Sequence, residues 1–194
     1  MKLLLEHDVT KHELGKWAKG KEVKILYHFF WGVGTSLEKD RKGYLLTILH
    51  QAWIEDEEIV ANLHQQHHQR RTKRSQSDWS WKQVENALKT TLQISKRSYC
   101  IFVDGLDECT SQDEILDHID AFEREMNIKF CVSSRPETVF EGRLDRRPKL
   151  RLQDLNEADI KLFVKESFDR RLRPESLKAI TTGKLQQLRD DLIS

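Results

Sequence analysis

Three short runs rich in β-branched and aromatic residues, Glu22 to Trp31 (EVKILYHFFW), Tyr99 to Val103, and IKFCVSS ending at Ser134, are separated by longer stretches of helical patterning. This alternation constrains the fold more than any other feature. Strands spaced by helices of ten or more residues form a parallel sheet covered on both faces, so the class is α/β. Met1 to Trp17 reads as the first helix, with Leu4, Leu5, Val9 and Leu14 among charges. The turn GVGTS closes the first strand, and Lys39 to Trp53 makes a second helix whose wide apolar face carries Leu45, Leu46, Ile48 and Leu49. Ser80 with Gln83 three residues on fits a capping box, and Trp81, Val84, Leu88 and Leu92 follow on one face. A helix near Gln112 to Glu125 precedes IKFCVSS. PKLRL, from Pro148, is the expected last strand, and Asn156 is expected to cap a helix carrying Ile160, Phe163, Val164 and Phe168.

Composition narrows what such a sheet can do. With 38% hydrophobic and 34% charged residues in 194, the chain has enough apolar surface for a core and lacks the profile of a disordered segment. A net charge of +1 provides no global field to attract nucleic acid or an anionic membrane. The apolar run in MKLLLEHD is too short for a signal peptide, and nowhere do about 18 apolar residues run together. Three cysteines, two of them in strand-like runs, suit reduced thiols. The expectation is a cytoplasmic protein with no nucleic-acid or membrane partner, acting through a local site.

That site is expected where SYCIFVDGLDEC pushes an aliphatic strand into three carboxylates within five residues, Asp104, Asp107 and Glu108. In parallel sheets chemistry gathers at the carboxyl ends of strands. A carboxylate there, followed by a glycine turn, is placed to hold Mg2+ directly or through water, since Mg2+ prefers hard oxygen ligands and keeps much of its hydration. Asp107 and Glu108 are then positioned to orient and deprotonate a water for attack on phosphate. The competing reading is a turn whose acids cap the following helix. FCVSSRPE tips the balance, because it brings Arg135 to the same sheet edge, where a guanidinium meets a terminal phosphate bidentately.

These residues carry a family resemblance. CIFVDGLDEC resembles the extended Walker B motif of NACHT-type STAND NTPases, and FCVSSRPE resembles their sensor 1 strand. The blocks HFFWGVGTSLEKDRKGYLLTILHQ, DWSWKQVENALKTTL and RPKLRLQDLNEADIKLFV are similar to the fungal branch of that family, labelled nephrocystin-3-like N-terminal. The resemblance covers roughly residues 1 to 172. It implies a P-loop NTPase-type parallel sheet and a nucleotide-driven switch coupling pathogen or self/non-self signals to oligomerisation. By that resemblance Asp104 is the Mg2+ acid, Asp107 or Glu108 the catalytic base, and Arg135 the sensor of the terminal phosphate of ATP or GTP.

The phosphate loop GxxxxGK[ST] is the missing piece. GKWAKGKE, Gly15 to Glu22, has both glycines and Lys21 in place, but Glu22 stands where a hydroxyl should bind Mg2+. A working loop also follows a strand and opens a helix, whereas here a helix precedes and a strand follows. In the family the loop would end at or just before Met1, since MKLLLEH resembles the helix after it. The expected organisation is therefore residues 1–153 as an NTPase core without its first strand and phosphate loop, and residues 154–194 as the start of a helical linker. Loss of that strand would leave the sensor 1 strand with an unpaired edge.

Two hypotheses follow. In one, the chain is part of an NTPase whose phosphate loop lies in upstream sequence; in the other, it is a catalytically inactive module that associates with itself or with full-length relatives. Mg2+-dependent nucleotide binding marks the first, and nucleotide-independent association the second. The basic run His64 to Arg74 and the acids Glu55 to Glu58 read as solvated segments, Trp79 and Trp81 as packing residues, and Cys109 as a small packing residue.

Overall fold

The computed structural model describes residues 1–54, 75, 78–136, 138–144 and 147–171. The runs at Glu55 to Glu58 and His64 to Arg74 lie outside the described residues, as does the side chain of Phe168. The chain divides into two compact units, the first Met1–Leu144.

In the first unit the described residues form a three-stranded parallel sheet of order β1-β2-β3, with β1 Val23–Phe29, β2 Ser98–Asp104 and β3 Ile128–Val132. Leu26 pairs with Ile101, Phe29 with Asp104, and Val103 with Val132, so all three strands end together. Helices α1 (Lys2–Glu6) and α2 (Asp8–Trp17) precede β1. Between β1 and β2 come α3 (Ser36–Lys39), α4 (Arg41–Trp53) and α5 (Trp81–Ile94), and α6 (Gln112–Glu125) and α7 (Thr138–Leu144) flank β3.

β2 is buried from Ser98 through Val103, as expected of an interior strand of an α/β sheet. One face of the pleat contributes Leu26, Ile101 and Val103 to a core shared with Tyr44, Leu45 and Ile48 of α4, Val84 and Leu88 of α5, and Ile115, Ile119 and Phe122 of α6. On the opposite face Lys129 lies with its ammonium 5.3 Å from the Trp17 ring of α2. Helices therefore lie against both faces.

Local signals explain most element boundaries. Ser80 and Gln83 form the expected capping box at the start of α5. A second box, Thr35 with Glu38, opens α3, and Asp40 caps α4 by accepting from Gly43 N–H at 2.7 Å. Gly43 is dictated by space: a Cβ there would fall 1.6 Å from the Leu37 carbonyl oxygen. Behind the sheet a charged joint links three helices. Arg41 of α4 donates to Glu85 of α5 at 2.9 Å, and His118 Nδ1 of α6 lies 3.1 Å from the same oxygen. The joint holds the Glu85 carboxyl below the usual carboxylate range, chiefly through the His118 bond, while burial holds His118 below the usual histidine value.

Four expectations need correction. The first helix is two, because the backbone at His7 is extended and its ring accepts from Val9 N–H at 3.2 Å. Trp81 does not join the core; at the first turn of α5 it is 39% exposed, with the Arg41 guanidinium 4.1 Å over its ring. PKLRL is not a strand: residues 148–151 are irregular and Leu152 begins α8 (Leu152–Arg171) in the second unit. Asn156 consequently lies inside α8 and does not cap it. In that unit Leu155, Ile160 and Phe163 are exposed.

Candidate functional site

The expected residues meet at the carboxyl edge of the sheet. Asp104 is the last residue of β2, and its carbonyl accepts from Phe30 N–H at 3.0 Å. Ser133 N–H donates to the Val103 carbonyl at 2.8 Å, and Leu106 N–H to the Ser133 carbonyl at 3.0 Å, so the residues after all three strands are knotted together. Gly105 has φ +68°, a left-handed conformation, and a Cβ there would sit 3.2 Å from the Phe30 carbonyl oxygen. Glycine thus allows the chain to leave β2 at a sharp angle into the 3-10 turn Leu106–Glu108.

Each carboxylate of the turn has a different partner. Asp104 Oδ1 accepts from the Ser133 hydroxyl, and its Oδ2 lies 4.0 Å from the Met1 ammonium. Asp107 Oδ1 accepts from Arg135 N–H at 3.1 Å, while Oδ2 faces Arg135 Nε at 3.3 Å. Glu108 Oε2 accepts from Gly32 N–H at 2.6 Å, which ties the loop after β1 to the turn after β2. Thr110 reinforces that tie through N–H and hydroxyl bonds to the Lys39 carbonyl. Neither Asp107 nor Glu108 caps α6, whose N-cap is Ser111, so the helix-capping reading of these acids does not hold.

All four expected residues, Asp104, Asp107, Glu108 and Arg135, are brought together. Ser133 and Gly32 complete the arrangement and were not assigned roles from sequence. Ser133 was legible only as a strand end and Gly32 only as part of a turn. The neighbouring thiols are quiet: burial raises Cys109 to about 11, and it also raises Cys131.

The donors at the Asp104 position are hard oxygens, the Asp104 carboxylate and the Ser133 hydroxyl, and the Asp104 side chain is 36% exposed. Such a set fits a hydrated Mg2+ held by one carboxylate. Among the described residues no three His, Cys, Asp or Glu side chains are grouped to hold an ion among themselves.

Fold and site together define an α/β protein whose parallel sheet gathers three carboxylates, a serine and an arginine at one edge. The chain belongs to the family described as nephrocystin 3, N-terminal, which matches residues 7–135, from the start of α2 to the arginine of the site. No curated protein and no solved structure matches the chain significantly. Among the described residues no helix is long and apolar enough to cross a membrane.

Proposed function

We propose that the chain carries part of a NACHT-like, signal-transducing NTPase, in which binding and hydrolysis of Mg2+-ATP or Mg2+-GTP drive oligomerisation in an innate-immune or heterokaryon-incompatibility type of response. The observation that carries this reading is the convergence of Asp104, Asp107, Glu108 and Arg135 at the carboxyl edge of one parallel sheet. In this reading Asp104 holds the ion through water, with Ser133 fixing its carboxylate. An acid of the turn takes the proton of the attacking water, and Arg135 meets the terminal phosphate. The bound Mg2+ neutralises charge developing on the phosphates. In this reading GKWAKGKE does not supply the phosphate-cradling amides, since it runs from the last turn of α2 to the residue before β1 and opens no helix.

The test is equilibrium binding of fluorescent ATP and GTP to the full-length natural protein, with and without Mg2+, for wild type and Asp104→Asn. Binding should require Mg2+ and weaken at least about tenfold in the variant, the equivalent of about 1.4 kcal/mol. Binding indifferent to both would overturn the assignment of Asp104.

A second reading, an inactive module that pairs with a copy or a full-length relative, is favoured by a separate observation. Among the described residues β3 pairs with β2 alone and leaves its other edge without a strand. Association of the 194-residue chain that is independent of nucleotide, measured by light scattering against concentration, is what this reading requires.

A further inference from the structure

We infer that Asp107 is a positioning residue that aims Arg135 and is not the base of the proposed reaction. The inference rests on the nucleotide reading above and goes beyond it by dividing two acids that sequence leaves equivalent.

The two carboxylates sit next to each other in one 3-10 turn yet are engaged differently. Only 8% of the Asp107 side chain is exposed, against 77% for its partner Arg135. Both Asp107 oxygens face the same residue, Oδ1 the backbone N–H at 3.1 Å and Oδ2 the Nε at 3.3 Å. Gln112 Nε2 donates to the Asp107 carbonyl at 2.9 Å and so fixes the turn from the α6 side. One largely buried carboxylate therefore sets where the chain leaves β3 and how the Arg135 guanidinium is turned.

An arginine held at Nε keeps its Nη1 and Nη2 edge for another planar or tetrahedral anion, and phosphate matches that edge bidentately. Asp107 thereby points the exposed guanidinium outward from a fixed root. The same engagement leaves Asp107 poorly placed to take a proton from water, since Oδ1 already accepts the Arg135 N–H, Oδ2 is ion-paired with the guanidinium and little of the side chain reaches solvent. Glu108 contrasts with it: its described bond is to a backbone N–H of the loop after β1, through Oε2 alone.

The test measures the preference for triphosphate over diphosphate in the full-length natural protein. Mant-labelled ATP and ADP, and the guanine pair, are titrated in Mg2+ into wild type, Asp107→Ala, Arg135→Ala and the double variant. Arg135 acts on the terminal phosphate alone, so its loss should lower the triphosphate-to-diphosphate affinity ratio by about tenfold or more. Asp107→Ala should lower the same ratio to a similar extent, and the double variant should be no worse than either single one. A general loosening of the turn would weaken both nucleotides and leave the ratio where it was. An unchanged ratio in Asp107→Ala, or effects that add in the double variant, would overturn the inference while leaving the nucleotide reading intact. No Mg2+-dependent binding by wild type would overturn that reading and the inference with it. If Asp107→Ala does not fold, Asp107→Asn serves in its place, keeping an oxygen for the Arg135 N–H and losing the charge beside Nε.

Discussion

Acid should loosen this fold through the buried imidazole of His28. His28 lies on the core face of β1, 6% exposed, its ring 4.5 Å from that of Phe30 and 5.6 Å from that of Tyr44. Its Nε2 is buried without a hydrogen-bond partner. Burial pushes its pKa down to about 4 from 6.5, with the Asp40 carboxylate opposing the shift. Between those values the unfolded chain binds a proton that the folded chain does not, so stability falls as pH is lowered. The whole gap corresponds to about 3.4 kcal/mol, of which about 2 kcal/mol is lost between pH 6.5 and 4.5. His118, also held low by burial, pushes in the same direction. Glu38 and Glu85, whose carboxyls are held below their usual range, contribute stability that is lost only at lower pH.

The perturbation is His28→Phe, which keeps an aromatic ring between Phe30 and Tyr44 and removes the titrating nitrogen. Urea denaturation of the 194-residue chain, followed by far-UV circular dichroism from pH 4.5 to 7.5, gives the unfolding free energy at each pH. The wild-type curve should drop about 2 kcal/mol more than the variant's between pH 6.5 and 4.5. A fixed packing penalty from the larger ring displaces the variant curve without altering its slope, so the slope is the readout. Parallel curves, within about 0.5 kcal/mol over that window, would refute the placement of a neutral, buried His28.

Two substitutions test the frame around the site. Gly43→Ala puts a methyl group where the Leu37 carbonyl already sits, so α3 and α4 must part; the helix-propensity gain of about 1 kcal/mol is outweighed by about 1–3 kcal/mol or more of overpacking, and the thermal midpoint should fall. An unchanged or raised midpoint would show that this joint yields freely. Ser80→Ala removes half of the α5 capping box and should lower the urea-derived stability by about 1 kcal/mol, whereas Ser111→Ala, at an N-cap whose side chain makes no capping bond, should leave it unaltered.

The sequence disclosed what is local and periodic. β2 was legible because a run buried on both faces has no polar alternation, and α5 because its cap and its apolar spacing agree. PKLRL misled because two leucines alternating with cations look like a half-buried strand, while a strand also needs a ladder partner; in the structure Leu150 is 69% exposed and irregular. Asn156 misled for a related reason. A capping side chain reports only that a helix start is tolerated there, and α8 begins four residues earlier. At the site, the acids and Arg135 were legible from type and spacing. Their partners were not, because Glu108 reaches Gly32 across 76 residues and Asp104 reaches Ser133 across 29, and such contacts exist only once the strands are in register.

Those long-range partners determine how the acids can be probed. Asp104, Asp107 and Glu108 each bind the loop after another strand or a residue of it, so the groups proposed for chemistry also hold the three strand ends together. Truncation to alanine removes the acceptor of the Gly32 or Arg135 N–H, both at exposed positions, and with it a net bond worth about 0.5–1.5 kcal/mol, so any loss of function then mixes chemistry with a shifted loop. Replacement by asparagine or glutamine keeps one carbonyl oxygen for that N–H and removes the charge. A site that acts through ionised carboxylates must fail under the amide substitutions while its thermal midpoint stays near wild type. A site that only staples the sheet must tolerate them, and lose its midpoint to alanine alone.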